Sequence, residues 1–306
     1  MLLKPLHLYK TKKLGRLTSD VVGNHGQPVR TKWGYRIFTD NMDTPFAKKS
    51  LGQHWLVDVG SLDAIVEFAD LNSEDFVLEI GPGHGVLTQY LVAQASEVLA
   101  IEFDDTLASM LKNKVKADNL KVINQDILEF DFSTLPKDFK IVANIPYYLT
   151  SKLIRNITES ENLPKEIVLL IQKEVAQRLV GKEGDMSLLS LAAKIYFEVS
   201  LGVVVGKEAF SPPPKVESQV VKLVRLDRPE LTEEEVGQVF RLAKLAFNSK
   251  RKTLLNSLQG GLGIEKSTLE QVLSKHKDVD LTLRPQNLQV SDWKVLCKTL
   301  KNEGII

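Results

Sequence analysis

The sequence predicts an α/β fold with a mostly parallel central sheet, followed by a small domain made only of helices. Short apolar segments alternate with amphipathic segments over residues 59–181, which is typical of a parallel sheet covered by helices on both faces. A proline-rich segment interrupts this alternation, and helical periodicity predominates afterwards. We therefore predict three segments, at residues 1–41, 42–228 and 229–306.

The predicted elements follow one another with short connections. We predict strands at 76–80, 97–102, 121–124, 140–144 and 166–172, and a later strand at 216–226 that pairs with the same sheet. The predicted helices of this part lie at 59–71, 86–95, 104–117, 151–161 and 173–181. The C-terminal part has helical periodicity at 232–247, 250–258, 266–276 and 291–302.

Composition excludes several classes of protein. The chain has 306 residues, 43% of them hydrophobic, which is enough for one large core and a smaller second domain. It lacks an apolar run of the roughly 18 residues that a membrane-spanning helix needs. The only cysteine, Cys297, excludes a disulfide framework, and the five histidines lack metal-ligand spacing. We expect a monomer without metal or membrane contact.

The formal net charge of +1 conceals an uneven distribution of charge along the chain. Residues 1–41 carry eight Lys and Arg against two Asp and Glu, a net charge of +6. Residues 42–205 carry fifteen against twenty-four, a net of −9, and residues 206–306 carry seventeen against thirteen, a net of +4. The acidic middle argues against nucleic acid covering the whole molecule. A local phosphate-binding face near the C-terminus and an ordinary solvated surface both remain open.

Residues 1–41 show no sustained hydrophobic period, and we predict that they are poorly ordered. Three explanations compete. Met42 is the true initiator, or the basic segment is an organelle transit peptide, or it is an arm that touches RNA. We favour the first. Cytoplasm is then the expected location, and a mitochondrion is expected if the segment is a transit peptide.

A glycine-rich loop, Gly81-Pro82-Gly83-His84-Gly85, joins the first predicted strand to a helix. Glycines allow positive φ angles and let backbone amides approach a ligand closely. A plain tight turn is the alternative interpretation. Because the spacing departs from G-x-G-x-x-G, the loop disfavours a dinucleotide and favours another nucleoside cofactor.

Two acidic residues end the next two strands. Glu102 lies about twenty residues beyond the loop, where a carboxylate accepts hydrogen bonds from a ribose diol. Asp126 follows the third strand, where it is able to accept from the exocyclic amine of an adenine. Each is also an ordinary candidate for a helix N-cap. Open α/β sheets bind ligands at the carboxyl ends of their strands, so the combination favours a cofactor site.

The fourth strand ends in Asn144-Ile145-Pro146-Tyr147. Asn144 offers an amide oxygen, and Pro146 fixes the turn with free carbonyl groups beside it. Tyr147 offers an aromatic face on which a base stacks, although a core tyrosine is the alternative. Together these residues are suited to hold an amine whose lone pair attacks an electrophilic methyl group.

With these motifs in place, the chain resembles amino-methyltransferases with an (Asn/Asp)-Pro-Pro-(Tyr/Phe) motif, and more narrowly the KsgA-type ribosomal RNA adenine dimethyltransferases. The resemblance covers nearly all of 46–306 and rests on residues 48–58, 79–85, 125–128, 144–148, 210–218 and 247–255. It implies a Rossmann-like class I methyltransferase fold with S-adenosylmethionine as cofactor. It also implies N6 dimethylation of two adjacent adenosines of small-subunit ribosomal RNA in a pre-ribosomal particle.

The resemblance implies a role for each matching residue. Expected to line the cofactor pocket are Gln53, His54 and Leu56, with Gly81 and Gly83 at the methionine portion, Glu102 at the ribose and Asp126 at the adenine. Expected at the target amine and base are Asn144, Pro146, Tyr147 and Phe210, and Asn144 is expected to contact the cofactor as well. Expected to bind RNA phosphates are Lys250, Arg251 and Lys252.

Some alternatives stay open beside this resemblance. His54-Trp55 stands where the family has Asn-Phe, and His84 replaces a residue that is often apolar. Phe210 also suits a domain-packing anchor, and Lys250–Lys252 a solvated helix start. The rival functions are a large-subunit RNA methyltransferase conferring antibiotic resistance and a non-catalytic RNA-binding assembly factor. A dinucleotide oxidoreductase fails on the loop spacing.

Overall fold

The computed structural model describes residues 29–30, 36–37, 53–182, 184–274 and 280–306. Strands β1 (Val29–Arg30) and β2 (Arg36–Ile37) pair antiparallel. Apart from these two strands, the prediction of poor order for residues 1–41 concerns positions outside the described residues. The family-like segment 48–52 also lies outside them.

A seven-stranded sheet forms the centre of the protein. Its strands are β4 (Phe76–Ile80), β5 (Glu97–Glu102), β6 (Leu120–Asn124), β7 (Lys140–Asn144), β8 (Glu166–Gln172), β9 (Phe197–Val205) and β11 (Ser218–Arg225). They are arranged in the order β6-β5-β4-β7-β8-β11-β9. The first five are parallel, while β11 runs antiparallel to both β8 and β9. This confirms the prediction of a mostly parallel sheet that includes the strand predicted at 216–226.

Helices cover both faces of the sheet. They are α1 (Val59–Ala69), α2 (Val86–Gln94), α3 (Asp105–Lys114), α4 (Thr150–Thr158), α5 (Lys173–Val180) and α6 (Leu188–Tyr196). Because successive strand residues point to opposite faces, Val77 packs with α1–α3 and Leu78 packs with α4–α6. Both side chains are fully buried. The strand ends are therefore held from two sides, which fixes the loops that follow them.

Four helices complete the chain. They are α7 (Glu233–Phe247), α8 (Leu254–Leu262), α9 (Lys266–Ser274) and α10 (Val290–Asn302). They pack around Trp293, which is fully buried, and α6 adds Leu191 and Ile195 to the same cluster. The helical core thus extends across the predicted boundary at residue 229, and that boundary stays a prediction. Within the described ranges, every helix is too short or too polar to cross a lipid bilayer.

Two parts of the fold differ from the predicted elements. Helix α6 and strand β9 have no predicted counterpart. The helix begins at a capping box in which Ser187 and Ser190 bond each other's backbone amides, and β9 is a half-exposed edge strand without regular alternation. The helix predicted at 250–258 begins instead at Leu254, because the Thr253 side chain caps it by accepting from the Asn256 amide at 3.4 Å.

Candidate active site

A cleft of about 790 Å³, including space open to solvent, lies at the carboxyl ends of β4, β5 and β7. The predicted site residues that line it are Gln53, His54, Leu56, Gly81, Gly83, Glu102, Asn144, Pro146, Tyr147 and Phe210. Asp126 and the basic residues 250–252 are not among its lining residues.

The glycine loop forms one wall of the cleft. Gly83 and Gly85 have φ angles of +55° and +77°, a region that residues with side chains rarely adopt. A Cβ atom at Gly85 would lie 2.4 Å from a methyl carbon of Leu111, so α3 leaves no room for a side chain there. The loop therefore needs glycine at these positions, and its backbone faces the cleft directly.

Glu102 connects β5 to this loop. One carboxylate oxygen accepts from the Gly83 amide at 3.1 Å, and the other accepts from the Asp104 amide at 3.0 Å. Burial raises the pKa of Glu102, and these backbone donors oppose the rise. The carboxylate thus fixes the glycine loop to the end of β5. Its contact with a ribose stays a prediction.

Glu79 is a second buried acid in the cleft wall, and the sequence analysis assigned it no role. It is 1% exposed, and burial raises its pKa to about 8, with the Glu102 charge adding to the shift. The Thr88 hydroxyl opposes this shift without reaching hydrogen-bond geometry, and Glu79 Oε2 has no partner among the described residues. An acid inside an apolar strand next to a glycine loop was the available signal.

The turn after β7 forms the opposite wall. Asn144 Nδ2 donates to the His54 carbonyl at 3.4 Å, while Asn144 Oδ1 has no donor among the described residues. The amide group is therefore oriented by β3 (Trp55–Leu56) and its neighbour, and its oxygen is available to an amine. Ile145 is buried, whereas Asn144 and Pro146 are partly exposed in the cleft.

Two aromatic residues flank this turn. The Tyr147 hydroxyl lies 2.7 Å from Ser218 Oγ, and its ring stacks at 5.9 Å and 26° on that of His54. Phe210 begins β10 (Phe210–Ser211), which pairs antiparallel with β3 and places the ring at the cleft. Burial raises the pKa of Tyr147. Three distant segments of the chain thus meet at this side of the cleft. We define Tyr147 and Phe210 as the aromatic clamp, and its role in holding a base stays a prediction.

Asp126 occupies a different position from the other candidates. Its side chain accepts from the Leu128 amide at 2.9 Å and caps the short 3-10 turn Ile127–Glu129. Near it, Phe103 and Tyr148 are 60% and 57% exposed, and the pKa of Tyr148 is raised by burial and then by the charges of Asp126 and Glu102. The strand ends of β5 and β6 thus form an open shelf beside the cleft. The adenine role of Asp126 stays a prediction.

The basic residues Lys250, Arg251 and Lys252 are on the surface, in the turn between α7 and α8. The Lys252 amide donates to the Ser249 carbonyl at 2.8 Å, which closes this turn. These residues are exposed, as the alternative of a solvated helix start predicts, but they precede the helix, since Thr253 caps α8 and Leu254 begins it. A phosphate-binding role stays a prediction. No group of three or more possible metal ligands occurs in the part of the chain that the structure describes.

Two positions that depart from the family pattern lie in contact with each other. The rings of Trp55 and His84 are 4.3 Å apart at 66°, an edge-to-face arrangement. Burial lowers the pKa of His84 to about 4, helped by the charge of Lys114. No local sequence pattern signals a contact between residues so far apart along the chain.

Comparisons with known proteins show the family of the chain. Residues 46–301 match the family model described as ribosomal RNA adenine dimethylase. A ribosomal RNA small subunit methyltransferase A from Dehalococcoides mccartyi is 40% identical over 259 residues, covering 82% of this chain and 87% of that protein. One from Streptococcus pyogenes is 36% identical over 271 residues, covering 84% of this chain and 91% of that protein.

Solved structures give the same result. A dimethyladenosine transferase from Plasmodium falciparum has a TM-score of 0.68 and 30% identity, covering 82% of this chain and 98% of that one. The 23S rRNA methyltransferase ErmE has a TM-score of 0.65 and 28% identity, covering 81% of this chain and 99% of that one. The Rossmann-like methyltransferase fold and the resemblance read from the motifs are confirmed. The chain belongs to the ribosomal RNA adenine dimethylase family.

Proposed function

We propose that this methyltransferase transfers methyl groups from S-adenosylmethionine to the N6 amines of two adjacent adenosines in small-subunit ribosomal RNA. The single observation that carries the proposal is the cleft itself. It joins a glycine loop and two buried acids to an amide oxygen and an aromatic clamp. We place this reaction in the cytoplasm, on a pre-ribosomal particle, with the protein acting as a monomer.

The residues present fit the proposed cofactor. S-adenosylmethionine carries a sulfonium and an ammonium group, and Glu79 Oε2 is a buried acceptor without a partner among the described residues. A cation there satisfies an atom that is otherwise costly to bury. Glu102 is able to exchange its bond with the Gly83 amide for bonds from ribose hydroxyls. Asp126, at the neighbouring strand end, is the proposed acceptor for the adenine amine.

When bound, the sulfonium of the cofactor supplies an electrophilic methyl group. Asn144 Oδ1 and the carbonyl of Ile145 or Pro146 accept hydrogens from the target amine. These bonds direct its lone pair out of the base plane and stabilise the positive charge that develops on nitrogen. In each transfer the nitrogen forms a bond to the methyl carbon as the bond between that carbon and sulfur breaks, which leaves S-adenosylhomocysteine, and the nitrogen then loses a proton to water. Orientation of the amine supplies most of the rate enhancement.

The aromatic clamp holds the target base. An adenine inside an RNA helix has to leave its stack before its amine reaches Asn144, which costs a few kcal/mol. Stacking on Tyr147 and Phe210 offsets this cost, since base–aromatic stacking is worth about 1–3 kcal/mol per base. The His54 ring already stacks on the Tyr147 ring, so it restricts the access of a base to that face of Tyr147.

We propose small-subunit RNA as the substrate, and not large-subunit RNA, because the relatives named for the small subunit are more similar to this chain. Those named ribosomal RNA small subunit methyltransferase A reach 42% identity over 262 residues, whereas the 23S enzyme ErmE is 28% identical. The turn at residues 250–252 is the proposed contact with RNA phosphates, because its three basic side chains are all exposed.

Radiolabelled transfer tests the proposal. The purified protein is incubated with tritiated S-adenosylmethionine and either small or large ribosomal subunits from a strain that lacks this modification. We expect label in small-subunit RNA only. Label confined to the large subunit would assign the antibiotic-resistance type of reaction instead. Cofactor binding with no transfer to either subunit would favour a non-catalytic assembly factor.

A further inference from the structure

Strand β3 and its neighbour His54 contact both walls of the cleft. The His54 carbonyl accepts from Asn144, and its ring stacks on Tyr147. Its Nδ1 lies 2.8 Å from the carbonyl of Pro212, so Nδ1 carries the hydrogen. Leu56 pairs with Phe210 across the β3–β10 ladder. This short segment therefore contacts the side-chain amide of Asn144 and both residues of the aromatic clamp.

The same segment reaches the opposite wall through Trp55. A Cβ atom on Gly83 would lie 3.1 Å from both Cδ1 and Nε1 of the indole, so the ring lies directly against the backbone of the glycine loop. His84 packs on the indole edge-to-face at 4.3 Å. The Gly83 amide in turn donates to Glu102. A ligand that contacts Gly83 must therefore share space with this indole or displace it.

We propose that Trp55 is a positioning residue that couples the cofactor loop to the aromatic clamp. Its indole rests on Gly83 and His84, and its backbone is continuous with His54, which holds Tyr147 and Asn144. A nucleoside cofactor at the loop restrains the indole and thereby orders the clamp for an adenine base. This inference rests on the proposed function, and it adds that cofactor and RNA raise each other's affinity, since such coupling is reciprocal.

The coupling is measured by the affinity of the protein for small ribosomal subunits, with and without S-adenosylhomocysteine as a non-reacting probe. In the wild type we expect the probe to tighten subunit binding by about fivefold or more, within the usual range of such couplings. Trp55→Ala reduces this factor to about one, because no indole then rests on the loop. Trp55→Phe keeps an aromatic ring on Gly83 and restores part of it.

His84, which packs on Trp55, gives an independent variant. His84→Ala removes the edge-to-face packing while the backbone of the loop is unchanged, and it is expected to weaken the coupling as Trp55→Phe does. The double variant is expected to lose less than the sum of the two single losses, because both act through one contact. Val203→Ala, on the exposed part of β9, is the matched control and leaves the coupling unchanged.

A second readout concerns the indole alone. Titration with the probe is expected to change tryptophan fluorescence in the wild type, and Trp55→Phe removes that change. If the wild type binds the probe and methylates RNA but the probe leaves subunit affinity unaltered, the coupling is overturned while the proposed function stands. An unaltered coupling factor in folded Trp55→Ala or His84→Ala also overturns it. Failure of the wild type to bind the probe at all would overturn the proposed function instead.

Discussion

The acidic and histidine side chains around the glycine loop are more deeply buried than Asn144 and Tyr147 on the side of the aromatic clamp, although Phe210 of the clamp is itself only 4% exposed. Glu79 and Glu102 are 1% and 6% exposed, and His84 is 7% exposed. Asn144 and Tyr147, by contrast, are only partly buried. A buried wall that carries two acidic groups suits a small cationic cofactor, because charge interactions are stronger away from water. A more open wall suits a base that arrives attached to a large RNA particle.

The two walls also differ in how the chain builds them. The loop wall comes from one continuous strand–turn–helix segment and the strand beside it. The clamp wall joins residues 53–56, 144–147 and 210–218, which are far apart along the chain. We therefore expect substitutions of Tyr147 and Phe210 to change mainly the reaction with RNA, and substitutions in the loop wall to change the binding of cofactor.

The largest expected effect comes from Asn144→Ala. Losing the amide oxygen removes an acceptor that acts as charge develops, and loss of one such group typically costs about 10²–10³-fold in rate. Single-turnover methyl transfer measures this loss, and equilibrium dialysis with labelled cofactor measures cofactor binding. A variant that transfers methyl groups at the wild-type rate would contradict the assignment of Asn144.

The aromatic clamp is tested by a matched pair of substitutions. Tyr147→Ala removes a stacking face and is expected to weaken the binding of the target base by about 1–3 kcal/mol. Tyr147→Phe keeps the ring and loses only the hydrogen bond with Ser218. We expect the KM for small subunits to rise strongly in the first variant and slightly in the second. Equal effects would show that the hydroxyl, and not stacking, is what matters.

The basic turn extends the comparison beyond the cleft. Replacing Lys250, Arg251 and Lys252 by Ala is expected to lower the dependence of RNA affinity on salt. The slope of log affinity against log salt concentration falls by about 0.7–0.9 for each RNA phosphate that the protein no longer neutralises. Lys112, Lys116 and Lys121, exposed at the other end of the sheet, provide the control triple. If both triples change the slope equally, the turn has no special role.

The smallest expected effect is a pH dependence at the loop wall. The pKa of Glu79 is about 8 because the carboxyl group is buried, so the group is mostly protonated at neutral pH. Raising the pH through 8 ionises it, and the carboxylate attracts a cationic cofactor. Affinity for S-adenosylmethionine is therefore expected to rise several-fold from pH 7 to pH 9, by up to about tenfold if binding requires the ionised form.

Glu79→Gln provides the control for that pH dependence, because glutamine does not titrate. Calorimetric titration at several pH values is expected to give a flat profile for this variant. The same raised pKa means that Glu79 favours the folded state at low pH, and that this contribution is lost as the pH rises from 4.5 to about 8. If the affinity of the wild type for the cofactor is constant from pH 7 to pH 9, Glu79 does not belong to the cofactor site.

The loop wall was largely predictable from the sequence. An apolar strand, a glycine-rich turn and a helix follow one another within a short segment, which predicts a ligand-binding loop. Glu102 follows at the end of the next strand. Glu79 was missed although an acid between apolar residues of a strand is unusual. Its raised pKa depends on how deeply the folded protein buries it, which the sequence does not state. The N-cap alternative for Asp126 was predictable from the residues that follow it, and the structure confirms that capping bond.

In the clamp wall, the turn at Asn144–Tyr147 was predictable from its own residues, whereas Phe210 was predictable only through the family resemblance. Nothing local to Phe210 indicates that β10 pairs with β3, and nothing local to Tyr147 indicates Ser218 as its partner. Such contacts depend on tertiary packing of distant segments. Helix α6 and strand β9 were missed for a related reason, because α6 shares its buried side chains between the sheet and the C-terminal helices.

The most direct test of the central claim is nucleoside analysis of the methylated product. Unmethylated small subunits are treated with wild-type protein and S-adenosylmethionine, and their RNA is digested and examined by mass spectrometry. The cleft predicts N6,N6-dimethyladenosine at two adjacent positions, and its absence when Asn144→Ala is used under the same conditions. Methylation at another atom or another base, or undiminished dimethyladenosine from Asn144→Ala, would contradict the claim that this cleft orients an adenine amine.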